Sequence, residues 1–255
     1  MSTNHSEREI SEGVQQFIEH MLITTMRLVR VQDEDSLSPK GVASGFFLER
    51  EGRCYLVTAA HVFKDGKWVL ETRETRNNQV LQLKISTPTL LVSLALDRSK
   101  NPKRLDVAWR QMDSLDILDD TEERSLDDSS VLPIYRGPLN EEPVFDEAYG
   151  FASWSNAEYH KALGQLRREA AYEVGMEYDG TQNVSLSGKD RDTQEVHRFK
   201  LSREHQGNSY YKGASGSPIA GSDGKIVSVL IGGSDENDIL YGFPIQTVCE
   251  LIGIQ

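Results

Sequence analysis

The feature that most constrains this chain is its rhythm of short β-prone runs. Stretches rich in Val, Ile, Leu, Thr and Tyr recur between turn signals at 22–32, 41–49, 53–60, 67–74, 79–85, 89–95 and 104–111. A second series follows at 131–136, 144–152, 169–178, 195–201, 216–220, 225–231 and 239–244. Many short strands at even spacing are the pattern of small barrels, which close a sheet on itself and so remove its edges. Between the series lies 113–128, with eight acids and one arginine. Such a run repels itself, and 113–130 is expected as an acidic, solvated connector. The expected fold class is all-β, with one antiparallel barrel over 23–112 and a second within 131–255.

Helical periodicity shows at both ends. Over 6–22, Ser6 and Glu9 have capping-box spacing, and Ile10, Val14, Phe17, Ile18 and Met21 share one face. Residues 1–22 are read as an amphipathic helix packed on the domain. Pro244 opens a short C-terminal helix through Ile252. Residues 153–168, with Trp154, Tyr159 and adjacent arginines, read as an insertion or helical excursion.

Composition narrows the partners. The 255 residues carry 40 acids against 28 Lys and Arg, a net charge of −12. That field repels a phosphate backbone, and no basic run offsets it, so nucleic acid is not an expected partner. The polar start lacks a signal-like apolar run, and no apolar stretch is long enough to cross a bilayer. No membrane association is expected. Only two cysteines occur, Cys54 and Cys249, and they read as small buried hydrophobes in a reducing compartment. The expected location is cytoplasmic.

Three tracts carry chemistry. Gly213-Ala214-Ser215-Gly216-Ser217-Pro218 places a serine between glycines, just before an apolar strand. A nucleophilic serine needs a tight exposed turn with bare backbone N–H groups beside it, because acyl transfer builds negative charge on oxygen. Tyr55-Leu-Val-Thr-Ala-Ala-His61-Val62 is an apolar strand running out onto a histidine. An imidazole titrates at about pH 6.5 and so takes and returns protons at neutral pH. Arg104-Leu-Asp106-Val-Ala-Trp109 sets an aspartate inside an apolar strand. Burial there is costly unless the carboxylate is paired, and pairing with His61 removes the cost. Ser217 is the nearest rival nucleophile.

The order His61, Asp106, Ser215 is that of the chymotrypsin architecture and differs from the subtilisin and α/β-hydrolase orders. The chain resembles the trypsin-like (chymotrypsin-fold) serine peptidases in Thr58-Ala-Ala-His61, Leu105-Asp-Val-Ala108, Gly213–Pro218 and the glycine-containing strand Gly41–Phe46. The resemblance spans about residues 40–245. It implies two six-stranded antiparallel β-barrels, the first carrying His61 and Asp106, the second Ser215. It also implies an oxyanion hole of the Gly213 and Ser215 backbone N–H groups.

One position departs from the family's digestive and clotting members. An acidic residue usually precedes the serine there and pairs with a new N-terminus after zymogen cleavage. Here it is Ala214. The chain is therefore more similar to the intracellular and bacterial branch. For the specificity pocket the expected residues are Ser209, Ile231, Gly232 and Gly242, with no acid to select Lys or Arg. A neutral, small-to-medium apolar side chain is the expected preference.

Metals and cofactors are not expected. His5, His20, His160, His197 and His205 lack metal-ligand spacing with cysteines or carboxylates. His197 and His205 lie on the approach to the serine tract and are candidates to face a substrate cleft. Gly232-Gly233 lacks the Lys-Ser/Thr of a phosphate loop. The expected function is a serine endopeptidase acting on a protein or peptide through an acyl-enzyme. Three alternatives stay open: a silent peptide-binding or scaffold relative, an esterase-like hydrolase with the same triad, and a protease that waits for an activating partner protein.

Overall fold

The computed structural model of the chain describes residues 11–31, 41–62, 67–76, 79–85, 94–96, 102–112, 114–117, 123–125, 133–160, 165–185 and 193–253. Helix α1 (Glu12–Thr24) leads into β1 (Met26–Val31), β2 (Gly41–Arg50) and β3 (Arg53–Thr58). A 3₁₀ turn, Ala60–Val62, follows. Then come β4 (Lys67–Arg76), β5 (Gln79–Ile85), β6 (Leu94–Leu96), β7 (Pro102–Arg104), β8 (Ala108–Met112), β9 (Ser114–Ile117) and β10 (Glu123–Ser125). The C-terminal half holds β11 (Ile134–Tyr135), β12 (Ala148–His160), β13 (Gln165–Val184), β14 (Gln194–Lys200), β15 (Pro218–Gly221), β16 (Ile226–Ser234) and β17 (Ile239–Pro244). Helix α2 (Ile245–Gly253) ends it.

The strands pair in two units. The second is a closed six-stranded barrel, β12-β13-β14-β17-β16-β15. The first is a sheet in the order β10-β9-β5-β4-β1-β2-β3-β8, with β11 added parallel to β2. β6 and β7 form a separate ribbon. This is the all-β, two-unit, chymotrypsin-like architecture, with a helix at each end.

Long apolar runs such as Tyr55–Val57 and Val229–Ile231 make sense because these strands are buried on both faces. Along β2, Phe47 packs inside the first unit while Phe46 and Leu48 pack between the units. Along β3, Leu56 faces inward and Tyr55 and Val57 face the seam. On β16, Leu230 enters the second barrel and Val229 and Ile231 enter the seam. The seam core also takes Ile245, Val248, Cys249 and Ile252 from α2. Cys54 and Cys249 are free thiols.

Helix α1 packs on β12 through the face expected from its spacing. Met21 is fully buried there, with Phe17, Ile18 and Leu22 against the seam. Gly150 makes this possible, since a Cβ there would lie 2.6 Å from Phe17 Cε1. Thr25 Oγ1 donates to the Ala152 carbonyl at 2.9 Å, fixing the helix exit. The Ser6–Glu9 cap and Ile10 lie outside the described residues, as does most of the expected 89–95 strand.

Two expectations need correction. Within 113–130, β9 and β10 pair with each other, and β9 pairs with β5, so the acidic stretch contributes to the first sheet. Ser114-Leu115-Asp116-Ile117 alternates polar and apolar residues, a strand period hidden by the charge count. The second correction concerns 153–168. No described part of it is helical: β12 runs on to His160 and β13 starts at Gln165 as its antiparallel partner. Cross-strand pairing overrides the local helix propensity of Ala157, Glu158 and Leu166, with a register shift between Trp154 and Ala157.

Two polar groups in the core were not legible in the sequence. Arg27 and Glu71, directly opposite on β1 and β4, form a buried ion pair. In the second barrel His197 is 2% exposed, between the edges of Tyr178 and Phe199. Its Nδ1 lies 2.7 Å from Ser228 Oγ, and its Nε2 lies 3.3 Å from Glu142 Oε2. Burial pushes its pKa down to about 4. The neutral ring thus accepts from Ser228 at Nδ1 and donates from Nε2.

This histidine makes stability fall with acid. The unfolded imidazole binds a proton below about pH 6.5, while the folded one stays neutral until about pH 4. Its contribution is therefore complete above about pH 6.5 and lost progressively down to about pH 4, by up to about 3 kcal/mol. Urea unfolding of wild type and His197→Gln at pH 7.5, 6, 5 and 4.5 checks this. The wild type should lose more stability on acidification than the variant; equal losses would show that His197 does not titrate in this way.

Candidate active site

His61, Asp106 and Ser215 come from three segments that the seam brings together. His61 sits in the 3₁₀ turn after β3, Asp106 in the bend before β8, and Ser215 in the loop before β15. β3 pairs antiparallel with β8, from Cys54 opposite Met112 to Thr58 opposite Ala108. That register delivers the histidine turn and the aspartate bend to the same end of the sheet. The Ala60 N–H donates to the Asp106 carbonyl at 3.2 Å and fixes the junction.

Asp106 is 1% exposed, and His61 uses both of its carboxylate oxygens. The His61 backbone N–H donates to Oδ1 at 2.8 Å, and the ring Nδ1 lies 2.8 Å from Oδ2. With Nδ1–H donating, Nε2 carries the lone pair. Ser215 Oγ lies 3.1 Å from that nitrogen. The second barrel reinforces the aspartate, because the buried Gln194 on β14 accepts from the Asp106 N–H at 2.7 Å.

The two serines of the tract differ sharply. Ser215 is half-buried and lines a cavity. Ser217 is fully buried, and its Oγ has no hydrogen-bond partner among the described residues. Gly213 has φ +92°, a left-handed backbone that favours glycine. Ala214 N–H donates to the Tyr211 carbonyl and Ser217 N–H to the Ala214 carbonyl. By contrast, the N–H groups of Gly213 and Ser215 donate to nothing among the described residues. Two unspent donors beside a serine hydroxyl are what a developing oxyanion requires.

The loop that presents them is tied down from both units. Ser44, on β2, donates its N–H to the Ser215 carbonyl at 2.9 Å and its Oγ–H to the Gly213 carbonyl at 2.7 Å. Thr58 Oγ1 donates to the Ser44 carbonyl at 2.6 Å. Gly216, φ +93°, nests against these groups: a Cβ there would overlap the Ser44 carbonyl oxygen and Thr58 Oγ1. On the barrel side Glu173, 2% exposed, accepts from Arg203 Nε and Nη2 at 2.9 Å each and from Tyr211 O–H at 2.7 Å. Burial and the bond to Glu173 hold the Tyr211 phenol well above its usual pKa.

The cavity beside Ser215 encloses about 210 Å³. Leu230 and Leu240 supply apolar wall, and Gly232 and Gly233 keep one side open. Besides Ser215, its polar lining includes His205, Asn208 and Lys212. Of the four residues expected there, only Gly232 lines it. Ser209 is exposed outside it, and Ile231 is buried in the seam core. Gly242 packs inside the barrel, where a Cβ would lie 2.6 Å from Ser228 Cβ. A bulge in β16 between Leu230 and Gly232 decides which residues face the cavity, and single-strand periodicity does not show it. His197, the other histidine near the tract, faces the barrel interior instead.

Among the described residues no cluster of three His, Cys, Asp or Glu is placed to hold a metal ion. No described helix is long and apolar enough to cross a membrane.

No protein-family model matches the chain, and no curated protein matches it. Solved structures do. A serine endoprotease from Yersinia pestis aligns at 12% identity and TM-score 0.49, over 97% of this chain and 67% of that one. The inactive form of the Rv3671c protease aligns at 13% identity and TM-score 0.49, over 93% and 91%. Its active form, from M. tuberculosis, aligns at 15% identity and TM-score 0.47, over 92% and 82%. Likeness at this level carries no function across, and the fold assignment rests on the chain's own strand pairing.

The nest around Gly216 gives a direct test. Gly216→Ala should lose about 2–4 kcal/mol of stability, from a left-handed alanine and a forced clash with backbone. Gly232→Ala meets nothing within 4 Å among the described residues and should stay within about 0.5 kcal/mol of wild type. Chemical denaturation of both checks the pair; equal stability would mean that the loop does not seat on Ser44.

Proposed function

We propose that the chain is a serine endopeptidase working through His61, Asp106 and Ser215. The single observation that carries this is the continuous chain of contacts Ser215 Oγ to His61 Nε2, and His61 Nδ1 to Asp106, at 3.1 and 2.8 Å. It ends beside two unspent backbone donors. Ser215 Oγ attacks the substrate carbonyl while His61 Nε2 takes its proton. The carbonyl oxygen becomes an oxyanion between the N–H groups of Gly213 and Ser215. The imidazolium, stabilised by Asp106, returns the proton to the leaving amine, and an acyl-Ser215 ester remains. Water, deprotonated by His61, attacks that ester and frees the acid and the serine.

The buried Asp106 serves as orienter. Holding both the backbone and the ring of His61 leaves one tautomer and one ring plane, so in the neutral ring Nε2 is the acceptor for the serine proton. The anchored loop supports a site that does not wait for a new N-terminus, consistent with Ala214 at the position before the serine. We place the enzyme in a reducing compartment such as the cytoplasm, on the support of its two free thiols. A conditional form of the same enzyme, in which a partner protein orders the oxyanion loop, is compatible with this reading.

Ser215→Ala should abolish labelling by a fluorophosphonate probe and cleavage of a casein-like substrate, whereas Ser217→Ala, where permitted to fold, should keep labelling. Asp106→Asn should lower turnover by about 10⁴-fold through the wrong tautomer. Labelling that survives Ser215→Ala would remove the nucleophile assignment. Cleavage of small esters without any cleavage of peptides would favour the esterase reading.

A further inference from the structure

Granting the peptidase reading, the cavity beside Ser215 receives the side chain of the residue whose carbonyl is attacked. Gly213, Ala214 and Ser215 line it. A carbonyl carbon at Ser215 Oγ, with its oxygen toward the Gly213 and Ser215 N–H groups, therefore sets its own residue at the cavity mouth. What lines the cavity decides which residue that is.

His205 is the most ordered polar group there. The Gly207 N–H donates to its Nδ1 at 3.1 Å. In the neutral ring the proton is thereby on Nε2, which makes Nε2 a donor. Among the described residues nothing accepts from Nε2, and it is not sealed from solvent. It lies on the side of Gly233, where a Cβ would approach it to 3.5 Å. The rest of the residue is held at two further points. Its backbone N–H donates to Asp238 Oδ1 at 2.7 Å. The Tyr211 ring packs on the imidazole with centroids 4.6 Å apart, and Tyr211 is itself bonded to the buried Glu173. A donor fixed this way is pre-organised and loses little freedom on binding.

The electrostatics of the lining agree. Among the described residues no acidic residue lines the cavity, while Lys212 does. Lys212 forms no ion pair among the described residues. The chain's net charge of −12 repels anions at long range, but screening limits that field to about 8 Å at physiological salt. Contact chemistry in the cavity decides.

We propose that His205 is a specificity-determining residue that selects an oxygen acceptor at the end of the side chain on the acyl side of the scissile bond, namely glutamate or glutamine. An apolar occupant leaves the His205 donor unpaired, and a lysine meets Lys212. Both lose binding relative to a side chain whose oxygen accepts from Nε2–H. This replaces the small apolar preference expected from the sequence.

The test uses peptide substrates that differ only at that residue, Glu, Gln, Leu or Lys, with kcat/KM as readout. In parallel, calorimetry measures binding of product peptides ending in the same four residues to the Ser215→Ala chain. The Glu and Gln substrates should exceed Leu and Lys by about tenfold or more, and the Glu and Gln arms separate carboxylate from amide. His205→Asn supplies an atom near the Nδ1 position for the Gly207 N–H but removes the Nε2 donor. It should bring the Glu-to-Leu and Gln-to-Leu ratios close to one. Wild-type enzyme that cleaves after Leu or Lys at least as fast overturns the assignment and leaves the peptidase reading standing. Ratios unchanged in His205→Asn overturn it as well. If wild type neither labels nor cleaves, but the Ser215→Ala chain binds Glu- or Gln-ended peptides more tightly than Leu-ended ones, the pocket stands and the peptidase reading falls. Equal binding of all four peptides overturns the pocket.

Discussion

The site depends on one residue of the first unit reaching into the second. Ser44 gives its N–H to the Ser215 carbonyl and its hydroxyl to the Gly213 carbonyl. The hydroxyl of Thr58 secures its own carbonyl. Each such bond contributes only about 0.5–1.5 kcal/mol net, but leaving any of these buried groups unpaired costs more. The three bonds therefore act as a register pin. They fix the serine loop relative to β2 and β3, and β3 in turn carries His61. Ser215 Oγ and His61 Nε2, on different units, keep their 3.1 Å separation only if something stops the units from sliding, and this seam does so.

Buried carboxylates are the second constraint. Asp106 and Glu173 are both almost completely shielded, and an unpaired charge at either place would be prohibitive. Each is answered differently. Asp106 is held by the backbone and ring of one histidine, and that coupling turns its burial into a tautomer lock. Glu173 is answered by an arginine fork and a tyrosine, which turns burial into an anchor for the loop preceding the serine. The Tyr211–Glu173–Arg203 clamp thus orders the loop preceding the serine from within the second barrel.

Much of this was legible in the chain itself. The two strand series, the His61, Asp106 and Ser215 tracts and their order are local in sequence, so composition and spacing expose them. The acidic run misled because charge density outweighed the alternation of Ser114 to Ile117. Residues 153–168 misled because helix propensity is local, while the β12–β13 pairing that overrides it is not. The pocket was least legible. Ile231 is separated from Gly232 by a bulge and by the face of a doubly buried strand, Gly242 packs inside the barrel, and Ser209 sits exposed in a turn; none of this leaves a mark on residue type. Ser44, Gln194 and Glu173 were invisible for the same reason: each gains its role from a partner far away in sequence.

The same logic separates the histidines. His61, His197 and His205 are one residue type on one fold, and their partners give them three behaviours. A carboxylate on Nδ1 leaves His61 with a lone pair facing a serine. Burial keeps His197 neutral far into acid, and a hydroxyl donating to Nδ1 leaves its proton on Nε2. A backbone N–H on Nδ1 leaves His205 with a proton facing a cavity. In each case the atom on Nδ1 determines what Nε2 presents. The proton on each neutral ring is therefore placed by a single hydrogen bond, to a carboxylate, from a hydroxyl and from a backbone N–H in turn.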